Sequence, residues 1–271
     1  MQYTAQASLI GMDIAAEGPI DKSKRTSFIA NYRYSTVGLL SQMGVDFGGE
    51  VINFQDFSFH LDQQQKKGGN LSVFGFGGLS SNKFNAKPVD EWEEEKDHNT
   101  IDYDGKVYGL GFVNQFKSFG KLNLSLGGSY SGQSQERNSQ SELLFIPYAY
   151  VFSDKYSNDK MLLSSFLKAL YKLGSNGTIE TGITANHLDN KLESTVVTPL
   201  YLDTFYPDVK GRVNGMMWQP YAAWSQRFGL WKLNAGLRYV NFTYNKTTAL
   251  EPRMSLGRSL LKGSMTLSYG L

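Results

Sequence analysis

The sequence predicts an all-β fold, an antiparallel transmembrane β-barrel with short periplasmic turns and long extracellular loops. Two observations predict it. Segments of about ten residues alternate apolar and polar side chains, and the connections between them are of two unequal lengths. Because successive side chains on a strand point to opposite faces, each segment has one apolar and one polar face. Such segments, with short turns on one rim and long loops on the other, are typical of outer-membrane barrels.

The segment 122–130 shows the alternation most clearly. Its even positions are apolar (Leu122, Leu124, Leu126, Tyr130), and its odd positions are polar or small (Asn123, Ser125, Gly127, Ser129). A soluble β-sandwich would alternate in the same way. Two further details favour a membrane: aromatic residues lie beside the short turns, where a girdle would meet the lipid–water boundary, and the polar face suits a hydrated lumen.

The strands follow from the turns. Six short connections rich in Gly, Ser, Asn, Asp or Lys lie at 21–24, 64–69, 117–121, 174–177, 228–230 and 261–263. Between them we predict twelve strands, at 7–15, 26–35, 51–62, 70–79, 103–116, 122–135, 161–173, 178–189, 213–227, 231–246, 252–260 and 264–271. The other connections, 36–50, 80–102, 136–160, 190–212 and 247–251, are predicted extracellular loops. Apolar spacing within 36–44 predicts a short helix or a loop that packs on itself.

Composition excludes several classes of protein. The 271 residues carry 27 basic and 25 acidic side chains, so no nucleic-acid partner is indicated. No apolar run approaches the roughly 18 residues that a membrane helix needs. The chain has no cysteine, which fits passage through an oxidising periplasm. No signal peptide precedes the first strand, and we interpret residues 1–271 as a single β-barrel segment of a larger protein.

Three segments resemble a known family. Residues 7–20 (ASLIGMDIAAEGPI), 27–35 (SFIANYRYS) and 54–59 (FQDFSF) resemble the first barrel strands of TonB-dependent receptors. The likeness is greatest to receptors of Bacteroidota type, which carry a carboxypeptidase-regulatory-like N-terminal domain. Residues 247–257 (TTALEPRMSLG) resemble a later strand entry of the same barrels.

The resemblance implies a barrel of twenty-two strands in the bacterial outer membrane, a plug domain in its lumen, and import powered by the TonB complex. The chain would be the N-terminal half of such a barrel, because it contains about twelve strands and no plug. Its implied partners are outer-membrane lipid, the plug, the TonB complex and a small ligand: an iron chelate, a vitamin, a glycan or a peptide. Two alternatives remain open: a passive porin or secretion barrel, and a soluble carbohydrate-binding β-sandwich.

No motif indicates an enzyme. The three histidines, His60, His98 and His187, are scattered, and no metalloprotease, serine-hydrolase or phosphate-binding motif occurs. The sequence therefore predicts neither catalytic residues nor a cofactor or metal site.

Two loop segments contain candidate ligand contacts. The acidic run 90–98 contains Trp92 and is either a cation- or ligand-binding loop or a solvated loop tip. The segment 201–212 carries Tyr201, Phe205 and Tyr206, which either stack on a flat ligand or pack against neighbouring loops.

Three charged residues are predicted to face the lumen. Glu17, Arg33 and Arg238 lie on predicted strands, where a charge that faced lipid would cost about 2–4 kcal/mol near the midplane. We expect them to point inward, where they contact either a plug or lumen water.

Overall fold

A computed structural model describes residues 1–45, 50–66, 68–145, 148–197, 208–260 and 263–270. Within these residues the chain forms one antiparallel sheet of thirteen strands, each paired with the next in chain order. The strands are β1 Gln2–Ala7, β2 Gly11–Pro19, β3 Thr26–Ser35, β4 Glu50–Gln64, β5 Gly69–Phe84, β6 Asn99–Phe116, β7 Leu122–Phe145, β8 Tyr148–Leu173, β9 Gly177–Val197, β10 Val209–Phe228, β11 Trp231–Phe242, β12 Thr247–Leu260 and β13 Gly263–Gly270. Among the described residues β1 and β13 do not pair, so the sheet is not closed.

The strand register separates two faces, because residues directly opposite each other lie on the same side of a sheet. Leu110 on β6 is opposite Tyr130 on β7, and Tyr130 is opposite Leu163 on β8. One rung away, Gly111 is opposite Ser129, which is opposite Ser164. The first row belongs to a continuous apolar face and the second to a polar face. The predicted alternation is therefore confirmed across these strands.

No other element of the described residues covers the apolar face of β6–β8. Large side chains on this face are widely exposed; Leu163 and Leu167 are each 50% exposed and Met254 is 53% exposed. Among the described residues the buried hydrophobic side chains are Val37 and Phe84 alone. No second sheet covers this one in the part of the chain that the structure describes, which argues against a β-sandwich.

We name the apolar part of this face the apolar band. It runs through 108–116 on β6, 122–130 on β7, 161–171 on β8 and 231–239 on β11, and these four stretches place no Asp, Glu, Lys or Arg on the apolar face. Five aromatic residues beside the short turns were predicted to form the girdle. Four of them, Phe116, Tyr171, Phe228 and Trp231, lie on this face at the short-turn end and are 38–54% exposed, whereas Phe119 lies in the turn after β6. The band is about nine to eleven residues tall, the length of strand that crosses a bilayer.

Glycine and aromatic residues meet across strands on the polar face. The ring of Phe166 on β8 lies where a Cβ of Gly127 would stand, and the ring of Phe76 lies against Gly109 in the same way. Any larger residue at these glycines would displace the neighbouring ring. The absence of a side chain at these glycines therefore allows the aromatic rings to pack directly against the backbone.

The predicted short turns are confirmed where the structure describes them. Gly120, Gly174 and Gly229 adopt positive φ angles of 63°, 66° and 60°, a conformation that glycine reaches without steric cost. The predicted turn at 261–263 lies partly outside the described residues.

The first predicted strand, 7–15, is wrong in its bounds. A tight turn interrupts it, in which the backbone N–H and the hydroxyl of Ser8 both donate to the carbonyl of Gly11, at 2.9 and 3.1 Å. The chain on either side of this turn forms β1 and β2, which adds a strand to the predicted twelve.

The long loops predicted at 80–102, 136–160 and 190–212 are also wrong in extent. The strands continue through nearly all of 136–160, about half of 190–212 and the two ends of 80–102. β7 has 24 residues and β8 has 26, and only residues 146–147 separate them. We name the parts of β6–β10 beyond the band the polar extension; it comprises 99–106, 133–145, 148–160, 190–197 and 209–213. The predicted connection at 247–251 is a turn at 243–246.

A short helix follows β3, which is the first of the two alternatives predicted for this segment. Helix α1, Val37–Gln42, begins where the Ser35 hydroxyl accepts the backbone N–H of Val37 at 3.3 Å and donates to the carbonyl of Ile52 at 3.2 Å. Val37 is 9% exposed and fixes the helix against the sheet. Among the helices of the described residues, none has the length and apolar character needed to span a membrane.

Candidate functional site on the polar face

The register places Glu17, Arg33 and Arg238 on the polar face. Arg33 is directly opposite Asp56, and its guanidinium lies 2.8 Å from that carboxylate. The same guanidinium lies 5.1 Å from the ring centre of Phe54. Both members of the pair are partly exposed, Arg33 by 53% and Asp56 by 35%, so the pair is open to a ligand. Contact of these residues with a plug domain stays a prediction.

A cleft of about 450 Å³ surrounds this ion pair. Glycines in the cleft leave the backbone accessible, and a Cβ on Gly105 would stand 2.7 Å from the Ser80 hydroxyl. Around it lie the polar-face residues Arg33, Phe54, Asp56, Gly78, Ser80, Tyr103, Gly105, Gln133 and Gln135. Aromatic rings, side-chain amides and an ion pair together suit a ligand that has both flat and hydrogen-bonding surfaces.

Arg238 belongs to a second group on the polar face, far along the sheet from Arg33. It is directly opposite Tyr221 on one side and Glu251 on the other. The Tyr221 hydroxyl donates to the Glu180 carboxylate at 3.0 Å, and the Lys168 ammonium lies 2.9 Å from the same carboxylate. Arg33 and Arg238, which were both predicted to face the lumen, therefore lie in two separate groups on the polar face.

Glu17 lines a third cleft, of about 660 Å³, at the short-turn end of β2–β4. His60 and Asp62 line it as well. Asp62 accepts hydrogen bonds at 2.6 Å from both the Asn70 amide and the Ser72 hydroxyl. The polar face is therefore acidic around β2–β4.

Trp92 lies in the connection between β5 and β6, where its indole N–H is already hydrogen-bonded. Its indole N–H donates to the carbonyl of Lys87 at 2.8 Å, and its ring stacks on His98 with 3.9 Å between ring centres. Two 3₁₀ turns, Val89–Glu91 and Glu95–His98, enclose it. A ligand would therefore reach only the remaining, partly exposed ring surface.

Asp97 organises this connection. Its carboxylate is fully buried, accepts the backbone N–H groups of Glu93 and Glu94 at 2.9 and 3.0 Å, and lies 3.0 Å from the Lys87 ammonium. These donors, led by the Glu93 N–H, lower the pKa of Asp97 to about 2. The acidic run is therefore a folded loop around a buried carboxylate, which the sequence did not predict.

The predicted aromatic contacts Tyr201, Phe205 and Tyr206 lie outside the described residues. Within the residues that the structure describes, no group of three His, Cys, Asp or Glu side chains is placed to hold a metal ion.

Comparison with known proteins gives a family match over most of the chain. Residues 22–263 match the family described as TonB dependent receptor-like, beta-barrel. No curated protein matches the sequence.

Solved structures show the same fold at low sequence identity. The Pseudomonas aeruginosa receptor FpvA, bound to a heterologous ferric pyoverdine, superposes with a TM-score of 0.69 at 12% identity, over 95% of this chain and 39% of that one. BauA, the ferric preacinetobactin receptor from Acinetobacter baumannii, gives 0.62 at 12% identity, over 97% and 45%. The RagAB peptide importer gives 0.63 at 9% identity, over 96% and 36%. The chain thus spans less than half the length of each.

Proposed function

Because this chain belongs to the TonB-dependent receptor β-barrel family, we propose that it forms part of the wall of an outer-membrane receptor that binds a ligand and imports it with energy from TonB. The apolar band contacts lipid, and the polar face lines the lumen. A plug domain outside residues 1–271 occupies that lumen. The band is the observation that carries the proposal.

The distribution of charge supports this orientation. At the height of the band, charged residues such as Lys168, Lys232 and Arg238 lie on the polar face, whereas the apolar face of 108–116, 122–130, 161–171 and 231–239 carries none. In water such a wide exposed apolar surface would drive association. In a bilayer the same surface replaces lipid–lipid contacts, and the charges remain hydrated.

The polar extension and the cleft around Arg33 supply the ligand-binding surface of this proposal. FpvA and BauA are named for ferric siderophores and RagAB for peptides. An iron chelate, a vitamin, a glycan or a peptide therefore all remain candidate ligands, and origin in Bacteroidota remains part of the proposal. In this reading Glu17 and Arg238 contact the plug, Arg33 contacts both the plug and the ligand in its cleft, and Trp92 and the aromatic residues of 201–206 contact ligand.

Uptake by the intact receptor tests the proposal. Cells that express it are given a labelled ferric siderophore, cobalamin, an oligosaccharide or a peptide mixture, with TonB present or deleted. We expect one class to accumulate only when TonB is present. Uptake that is equal in both strains would identify a passive porin and overturn the receptor proposal.

A further inference from the structure

Three basic side chains lie together at the short-turn end of the polar face. Lys172 at the end of β8, Arg227 at the end of β10 and Lys232 at the start of β11 line a cleft of about 620 Å³. We name these three residues the rim basic cluster. The rest of the cleft consists largely of hydrogen-bonding groups: Ser175, Asn176, Thr178 and Ser225. Its chemistry suits an anion.

The like charges in the cluster face each other directly. Arg227 is the cross-strand partner of Lys232, an arrangement that destabilises an antiparallel pair unless an anion neutralises it. The polar extension offers a comparison, because Lys191 and Arg212 are also cross-strand partners. There each cation has its own carboxylate: Glu193 lies 3.1 Å from Lys191, and Asp189 lies 2.6 Å from Arg212.

The rim basic cluster lacks such carboxylates. Among the described residues, no ion pair is formed by Lys172, Arg227 or Lys232, and all three side chains are exposed. Lys168, four residues before Lys172 on the same face of β8, is instead paired with Glu180 at 2.9 Å. The cluster therefore presents uncompensated positive charge to whatever lies on the polar side of the sheet.

Its position excludes lipid headgroups as the natural anion. The aromatic girdle residues Tyr171, Phe228 and Trp231 alternate with the cluster along the strands and lie on the opposite face. If lipid covers the apolar face, the cluster points into the lumen mouth. The anion must then come from something inside the barrel.

We propose that the rim basic cluster docks carboxylates of an acidic segment in the domain that fills the lumen. This inference rests on the proposed function. FpvA and BauA are each more than twice as long as this chain, which covers 39% and 45% of them. We place the proposed plug in the part of the intact receptor outside residues 1–271. Arginine binds carboxylate through two parallel hydrogen bonds, and the two lysines supply further charge.

Zero-length cross-linking of the intact receptor in outer-membrane vesicles tests this directly. A water-soluble carbodiimide activates a carboxylate, the lysine Nζ attacks it, and an amide bond forms as the activated oxygen leaves with the reagent as a urea. Mass spectrometry then identifies both joined residues. The Lys168–Glu180 pair, at 2.9 Å, is the internal control for folding and reagent access.

We expect Lys172 and Lys232 to be joined to Asp or Glu residues of the same polypeptide outside 1–271. Provided that the Lys168–Glu180 control pair is joined, any of four results overturns the inference. These are no cross-link at either lysine, links only within 1–271, links to a separate protein, or ready acylation of both lysines by an amine-reactive reagent. TonB-dependent uptake together with any of these results would refute the docking and leave the receptor proposal intact.

A charge-neutralised variant provides the second readout. The intact receptor carrying K172Q, R227Q and K232Q is reconstituted in a planar bilayer, and ion conductance is followed as urea rises. The matched control carries K106Q, K155Q and K210Q, which removes three exposed lysine charges of the polar extension that form no ion pair among the described residues. We expect the rim variant to conduct at lower urea than both the control and the unmodified receptor. Identical urea dependence in all three would overturn the inference.

Discussion

The lower and upper parts of β7 form one continuous strand in two different environments. In the apolar band, Leu122 is opposite Tyr171 and Leu126 is opposite Leu167. On the same face of the polar extension, Glu136 is opposite Ser157. The antiparallel ladder is unchanged, while the outward side chains change from apolar to polar. The backbone pairing is therefore the same in both parts, and the polarity of the outward side chains is what distinguishes them.

A charge placed on the outward face gives the largest expected difference between the two parts. Leu167→Arg puts a cation at the middle of the band, where we expect it to lower the free energy of unfolding by about 2–4 kcal/mol. Ser157→Arg is the matched control, because it changes the same face of the same strand and lies between Glu136 and Glu193.

Urea titration of the intact receptor in lipid vesicles measures both. Ser157→Arg is expected to be neutral or to stabilise by about 0.2–1 kcal/mol through its opposite-charge neighbours. Equal costs at the two sites would contradict the division between band and extension.

A methyl group added to glycine gives the second largest difference. Gly127→Ala forces the Phe166 ring to move and brings the new Cβ to 3.0 Å from the carbonyl of Phe112. We expect a loss of about 1–3 kcal/mol, as for an overpacked site. Gly211→Ala in the polar extension meets nothing within 4 Å and should be nearly neutral. The same titration compares them, and a neutral Gly127→Ala would refute the close packing of ring on glycine.

Breaking an ion pair on the polar face should change the free energy of unfolding less than Leu167→Arg or Gly127→Ala does. A double-mutant cycle with Arg33→Gln and Asp56→Asn measures their coupling in the free energy of unfolding. Because the side chains are 53% and 35% exposed, we expect a coupling at the low end of about 0.2–1 kcal/mol, reduced further by salt. A coupling of several kcal/mol would mean that the pair is enclosed.

Protonation of Asp97 should give the smallest effect, a loss of local stability confined to the connection between β5 and β6. The pKa of Asp97 is about 2 in the folded loop, below its ordinary value of 3.8. A lowered pKa contributes stability that is present above pH 3.8 and is lost as pH falls towards 2. The protection factors of the Glu93 and Glu94 amides, which correct for the pH dependence of intrinsic exchange, should therefore fall over that range. In Asp97→Asn the protection factors should be lower at pH 5 and respond little to this acidification; unchanged protection would contradict the role of the carboxylate.

The two environments also explain what could be read from the sequence. Turns and faces of the band were predictable, since alternation appears wherever lipid covers one face and water the other. The polar extension was not, because polar residues on both faces remove the alternation. Cross-strand ion pairs such as Arg137–Asp154 lie within it and become visible only with the register.

The residues proposed to act in the receptor also divide into those that the sequence indicated and those that it did not. Glu17, Arg33 and Arg238 were found because charge inside a strand is costly on the apolar face. Lys172, Arg227 and Lys232 were missed, although one signal was present: the two-residue turn at 229–230 makes Arg227 and Lys232 near-neighbours across a hairpin. The burial of Asp97 depends on local hydrogen bonds that no sequence pattern encodes.

Lipid accessibility along β7 tests the central claim most directly. Single nitroxide labels at each position from 122 to 141 of the intact receptor, reconstituted in lipid, are probed with oxygen and with a water-soluble nickel complex. We predict that even positions from 122 to 130 are accessible to oxygen and odd positions are not, and that this period of two ends above residue 132. Nickel accessibility at the even positions 122–130, equal to that at 134–140, would contradict the assignment of the apolar band to the membrane.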